Sequence, residues 1–322
     1  MKALSFDRFG EADVLGYSVL PDPVAGAGSV LVKTTAVGLN FADVYRRRGD
    51  YVLDGEAPWI GGYEGAGRVV SVGAGVNSWQ IGQRVGFMDV ARAHAELVLA
   101  PTDRLIALPD DVDDCTAAAL LLQGLTAQYL VESSGRLRAG DRILVQAAAG
   151  GVGRLLIQVA RALGVEVHAL ASTPAKRAQA RANGAVGVYD YGDWVSQVRQ
   201  ATATGVDVVY DSIGTTVLDS IAALRPGGHV VVFGKAGGPP PLVDPLLLME
   251  ESKGVVGGDL WTYLNGAESR QSRTDRLFAA WRAGTITAPA ITALPLRDGA
   301  AAHRLIEDRN FAGKIILLPG SS

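Results

Sequence analysis

The run Gln146-Ala147-Ala148-Ala149-Gly150-Gly151-Val152-Gly153 has the residue types and spacing to hold a pyrophosphate. Such a site needs a tight turn, a backbone bare enough for phosphate oxygens to approach, and a small residue where helix meets strand. Ala148, Gly150 and Gly153 supply these, with Ala where the dinucleotide fingerprint has its first Gly. The run follows an apolar strand, Ile143-Leu144-Val145, and opens a helical pattern through Leu155, Leu156, Val159 and Leu163. Backbone N–H groups at the start of that helix, those of Gly151 and Val152, would face the phosphates with the helix dipole behind them. Taken alone, the same glycines also fit a plain strand-to-helix turn.

The coenzyme is read from the end of the next strand. An acid there accepts hydrogen bonds from the ribose 2'-OH of NAD. Here the strand ends Ala169-Leu170-Ala171-Ser172-Thr173, without an acid, and Lys176 and Arg177 follow. A missing carboxylate and an added cation suit a 2'-phosphate, so NADPH is expected, with Ser172 as donor and Lys176 as point charge. The alternative for Lys176 and Arg177 is an ordinary solvated helix face.

Around these residues the chain changes grammar twice. Up to about residue 110 it reads as short β segments between Gly-rich turns (Ser29 to Lys33, Gly67 to Gly73, Gln83 to Phe87, Ala95 to Leu99), predicting a compact barrel or sandwich. From Thr116 strands alternate with helices: Arg142 to Gln146, Glu166 to Ala171, Val188-Tyr189, Val206 to Asp211, His229 to Phe233 and Val255-Val256. Such repetition with continuous apolar strands predicts a parallel sheet covered on both faces. After about Gly258 come a helix at Asp275 to Ala283 and two β-like ends, Ile291 to Leu296 and Lys314 to Leu318, which should rejoin the first domain. Gly237-Gly238-Pro239-Pro240-Pro241 can be neither helix nor central strand and is read as a loop at the ligand-binding edge, or as a plain linker.

With 322 residues, 48% of them hydrophobic, the chain can build two cored domains. Its formal charge of -3 gives no reason to expect nucleic acid or an anionic membrane as a partner. The single cysteine, Cys115, excludes an internal disulfide and a multi-thiolate zinc site, and reads as a small core residue. The acidic start and the lack of 18 consecutive apolar residues predict a cytoplasmic protein with no membrane span.

Together with the mid-chain turn, the motifs Gly38-Leu39-Asn40-Phe41-Ala42-Asp43-Val44-Tyr45, Gly62-Tyr63-Glu64-Gly65-Ala66-Gly67, Gly124-Leu125-Thr126-Ala127 and Asp211-Ser212-Ile213-Gly214 give the chain its resemblance. It resembles the medium-chain dehydrogenase/reductase superfamily, and most of all its zinc-free quinone oxidoreductases related to zeta-crystallin. The resemblance implies a Rossmann-type doubly wound parallel sheet at 123–259, a β-rich GroES-like catalytic domain at 1–122 and 260–322, and a homodimer paired near Val255-Val256. It places Asn40 and Tyr45 beside the nicotinamide and its ribose, and Thr126 and the Ala148-to-Gly153 turn along the cofactor. Ser172, Lys176 and Tyr191 fall around the 2'-phosphate, Ser212 and Gly214 at the fourth strand, and Phe233 and Gly234 at the nicotinamide, although Phe233 fits the core equally well. Lys314 would add a cation near the phosphate. Zinc-dependent members carry Cys where this chain has Asn40 and His where it has Tyr63, so no catalytic zinc is expected.

Without a Lewis acid the natural chemistry is reduction of an already electrophilic substrate. A quinone takes hydride without a strong general acid, which makes an NADPH-dependent quinone reductase working in an interdomain cleft the first expectation. An enone or enoyl-thioester reductase is the alternative, in which Tyr51 stabilises the enolate and donates its proton; Tyr51 can also be read as pocket wall. NADPH binding without turnover is the third. Arg46-Arg47-Arg48 either attracts an anionic substrate or forms a solvated face.

Overall fold

Period-two alternation builds the first half of the molecule. In Ser29–Leu39 the residues Val30, Val32, Thr34 and Ala36 turn inward while Lys33 and Thr35 face out, so one face of this strand must be covered. The computed structural model describes residues 1–53, 55–308 and 310–320. Clustering of contacts divides the chain into two units, one of Met1–Leu122, Leu264–Ala279 and Ala288–Ser322, the other of Gln123–Tyr263 and Ala280–Thr287.

In the first unit the strands are β1 (Lys2–Phe6), β2 (Gly16–Val19), β3 (Ser29–Leu39), β4 (Trp59–Ile60), β5 (Glu64–Val72), β6 (Arg84–Met88), β7 (Leu97–Pro101) and β8 (Leu105–Ala107). In the second they are β9 (Arg142–Val145), β10 (Glu166–Leu170), β11 (Gly187–Tyr189), β12 (Val206–Asp211), β13 (Leu224–Val232) and β14 (Gly254–Gly257). The chain then returns to the first unit with β15 (Ile291–Pro295) and β16 (Lys314–Leu318). Seven strands form the larger sheet there, in the order β15-β16-β3-β5-β6-β8 with β7 also on β3, and β2-β1-β4 form a smaller one. Val30, Val32, Val69, Val85, Phe87 and Val98 close one core; Leu4, Val37, Leu39, Ile315 and Leu317 close another.

The second unit holds six parallel strands in the order β11-β10-β9-β12-β13-β14. This is the doubly wound order whose direction of winding reverses between its first and fourth strands, here β9 and β12, and ligands bind outside the carboxyl ends of strands at that point. Leu144, Leu170, Val209 and Val230 pack there with Trp194 and Ile221 from helices.

Two elements depart from the expectation for physical reasons. β13 begins at Leu224, not His229, because Leu224 pairs with Val206 and a register shift carries the chain past Pro226-Gly227-Gly228. The helix expected from Asp275 starts at Gly266, its first turns being polar residues without an apolar period. Among the described residues no helix is long and apolar enough to cross a membrane.

Candidate active site

The phosphate turn is shaped by what cannot fit there. A Cβ on Gly153 would lie 2.5 Å from the Ala147 carbonyl oxygen, a backbone atom that cannot move aside. Helix Gly151–Ala162 starts from Gly150 with no side-chain cap and no acid in its first turn, so its N-terminus is left bare for an anion. Ala147 makes the turn at φ +46° and donates its N–H to the Tyr191 hydroxyl oxygen at 2.9 Å. Burial pushes the Tyr191 phenol up to about 12. Tyr191, expected at the 2'-phosphate, has its hydroxyl on the pyrophosphate turn and braces it.

At the switch point the structure gathers Ser212, Gly214, Phe233 and Gly234. The organiser is Asp211, fully buried at the end of β12. Its Oδ1 accepts the N–H groups of Ile213 and Gly214, both at 2.9 Å. Its Oδ2 accepts from Thr216 (2.9 Å), Ser220 (2.8 Å) and Gln146 Nε2 (3.2 Å). This carboxylate therefore fixes the loop on which Ser212 and Gly214 stand, and ties it to the strand that leads into the phosphate turn. Gly214, at φ +85°, could not carry a Cβ, which would meet the Gly238 carbonyl oxygen at 2.2 Å. A Cβ on Gly234 would lie 2.9 Å from the Ser212 carbonyl oxygen, so the two loops touch backbone to backbone. Neither Gln146 nor Asp211 had been given a role; the available signal was a polar residue closing each of two apolar strands.

Beyond β10, Thr173 caps helix Pro174–Ala182 by accepting the Lys176 N–H at 3.2 Å. This puts Lys176 in the first turn beside the exposed Ser172. Arg177 instead donates to the Ala171 and Ser172 carbonyls at 3.1 and 3.3 Å. Thr126 is half-buried on helix Asp114–Tyr129.

In the first unit, Asn40 ends β3 and caps helix Phe41–Arg48, its N–H donating to Asp43 Oδ2 at 2.9 Å. Its amide Nδ2 donates to Glu64 Oε2 at 2.9 Å, and its Oδ1 accepts from Lys314 Nζ at 2.8 Å. Lys314 Nζ also lies 2.7 Å from Glu64 Oε2, and all three side chains are buried. Gly38 makes room: a Cβ there would sit 2.3 Å from Glu64 Oε2. Lys314, which the resemblance gives as a cation near the phosphate, has its ammonium between Asn40 and Glu64. In the sequence Glu64 stands out only as part of the Gly62-to-Gly67 motif.

Tyr45 is buried edge-on to Phe41 at 5.3 Å and to Tyr51 at 5.1 Å, whereas the Tyr51 ring is 38% exposed. Neither reading of Arg46-Arg47-Arg48 holds for the whole run. Arg47 is buried and paired with Glu307 at 2.8 Å, Arg48 bridges Glu11 and Glu307 at 3.0 Å each, and Arg46 lies 3.6 Å over the Tyr63 ring. Burial and two neighbouring aspartates push the Cys115 thiol up, leaving it protonated.

The donor set at Asn40 does not fit a zinc ion. Amide and phenol replace thiolate and imidazole, and an ammonium already neutralises Glu64. Among the described residues no group of three or more His, Cys, Asp or Glu is placed to hold a metal.

The chain matches two family models, the alcohol dehydrogenase GroES-like domain over residues 26–137 and the zinc-binding dehydrogenase over 151–263. A 2-haloacrylate reductase from a Burkholderia species is 37% identical, covering 91% of this chain and 92% of its own. A quinone oxidoreductase from Pseudomonas aeruginosa is 36% identical over 99% of both chains. A mycobacterial protein solved with NADPH superposes with a TM-score of 0.93 at 38% identity, covering 99% of this chain and all of that one. A bare phosphate turn on a doubly wound sheet, joined in one chain to a GroES-like unit, defines a nucleotide-dependent oxidoreductase. The chain belongs to the zinc-free quinone oxidoreductases of the medium-chain dehydrogenase/reductase superfamily.

Proposed function

We propose that the protein is an NADPH-dependent quinone reductase. The observation that carries this reading is the Lys314 ammonium held between Asn40 and Glu64. With a site that does not fit zinc, the substrate that suits it accepts hydride without metal activation, as a quinone does.

When bound, NADPH supplies the hydride. The chain's own residues bind and orient. The bare N-terminus of helix Gly151–Ala162 takes the pyrophosphate, and Ser172 and Lys176 take the 2'-phosphate. The Asp211-anchored loop, with Ser212, Gly214, Phe233 and Gly234, seats the nicotinamide end, and Thr126 lies along the cofactor. Asn40 and Tyr45, held by the Lys314–Glu64 pair and by Phe41, are the residues assigned by resemblance to the ribose and nicotinamide. The exposed edge strand β14, carrying Val255 and Val256, supports a homodimer formed edge to edge.

A second reading is favoured by the exposed, edge-packed Tyr51 ring. In an activated alkene, hydride adds to the β-carbon and the Tyr51 O–H delivers the proton to the α-carbon. The substrate named for the Burkholderia relative is of this kind. Tyr51→Phe separates the readings by steady-state turnover. Alkene reduction falls by ~10²-fold and quinone reduction by no more than ~3-fold if Tyr51 is the acid; equal small losses on both remove it from the chemistry.

A further inference from the structure

Arg46 differs from its two neighbours in having no hydrogen-bond acceptor. Its side chain is nine-tenths buried, at 10% relative exposure. Its guanidinium lies 3.6 Å from the Tyr63 ring centroid and 5.8 Å from that of Tyr51. Among the described residues the nearest carboxylate oxygen, Asp43 Oδ1, is 3.8 Å from its NH1, beyond hydrogen-bond distance. Among the described residues Arg46 donates no hydrogen bond, and its Nε is sealed from solvent without a partner. A guanidinium carries five N–H donors, and leaving such groups unsatisfied in a buried place is costly.

The unsatisfied atoms are concentrated here. Asp43 Oδ1 is also buried without a hydrogen-bond partner, and the buried His94 ring feels the charges of both Asp43 and Arg46. Asp43 cannot swing to close the gap, because its Oδ2 is held by the Asn40 N–H at 2.9 Å. Tyr63 supports the guanidinium plane from one side and fixes its orientation. The result is a guanidinium held flat on an aromatic ring, loosely ion-paired to Asp43 and, among the described residues, without a hydrogen-bond acceptor for its fork.

We propose that Arg46 binds the carboxylate of an alkene substrate, so that among the activated alkenes it reduces the enzyme prefers short unsaturated carboxylates, those whose acid group is conjugated to the reacting double bond. A carboxylate matches the guanidinium fork in a bidentate pair. The length follows from proximity: the guanidinium that would hold the carboxylate lies 5.8 Å from the ring centroid of Tyr51, which suits an acid group attached to the reacting unit itself rather than to the end of a long carrier. This inference rests on the alkene reading of the Tyr51 site.

The test compares kcat/KM for acrylate-type acids with that for uncharged enones and benzoquinone, in wild type, Arg46→Leu and Arg46→Lys. The inference predicts that Arg46→Leu lowers the ratio of acid to neutral substrate by at least ~30-fold, mostly through KM, and that Arg46→Lys recovers part of it. A ratio within ~3-fold of wild type, or equal losses on all substrates, overturns it. If wild type reduces neutral enones but prefers them to the acids, this inference fails while the reductase reading stands. If wild type turns over no enone or quinone, the reductase reading fails, and calorimetric titration with acrylate still decides Arg46: binding lost in Arg46→Leu supports the carboxylate site, and no binding to wild type overturns it.

Discussion

The two units build their sites from different materials. In the Gln123–Tyr263 unit the site is mostly backbone: bare N–H groups, a turn at Ala147, and glycines at positions where any Cβ would collide. In the unit that holds Asn40 it is side chains whose partners come from distant parts of the chain, Asn40 from the end of β3, Glu64 from β5 and Lys314 from β16. A backbone site tolerates no added atom, whereas a side-chain site tolerates no unmatched charge.

The largest effect should come from breaking the first rule. Gly153→Val pushes a branched side chain into the Ala147 carbonyl and should abolish NADPH binding, a loss of at least ~10²-fold in affinity by fluorescence titration, with the other unit still folded. Retained affinity would mean that the turn is not the pyrophosphate site.

The second rule is tested by Lys314→Met. It leaves Glu64 as a buried carboxylate without its cation, which should cost about 3–5 kcal/mol in urea unfolding. Adding Glu64→Gln removes the stranded charge and should restore most of that loss, because a neutral pair needs no counter-ion. A single mutant as stable as wild type would contradict the buried pair.

A smaller effect follows from His94 and His303, buried in the first unit with ring centroids 6.1 Å apart. Desolvation first, then neighbouring charge, holds both below the usual imidazole range: Lys314 and Arg46 act on His94 against the opposing pull of Asp43 and the Gly38 backbone, and His94 and Arg47 act on His303. Both are therefore neutral in the fold. As pH drops below about 6.5 the unfolded chain gains protons that the native state refuses, so stability falls toward acid by about 1.4 kcal/mol per pH unit per imidazole. It is fully present above that pH. Urea unfolding at pH 7.5 and 5.5 measures this, and a flat profile would contradict neutral buried rings.

The same contrast explains what could be read from the sequence. The turn from Ala148 to Gly153, the missing acid after β10 and the alternation of strands and helices in the second unit are legible because each is local: a spacing, an absence, a repeat. Asn40 and Lys314 were singled out, yet their pairing was not, since 274 positions separate them and only the antiparallel pairing of β3 with β16 brings them together. Helix Phe41–Arg48 went unread because its arginines hide the apolar face, and with it the separate surroundings of Arg46, Arg47 and Arg48. Asp211 ends an apolar strand, and its five hydrogen bonds come from the loop and helix that follow it and from Gln146 beyond β9, partners that no local pattern announces.

The central claim is tested most directly by following cofactor absorbance with metal-free protein, comparing NADPH with NADH and using benzoquinone and a naphthoquinone as acceptors. The account predicts quinone-dependent oxidation of NADPH that persists with a chelator present and is at least ~10-fold more efficient than with NADH. Tight NADPH binding with no oxidation by either quinone, or turnover that requires added zinc, would contradict it.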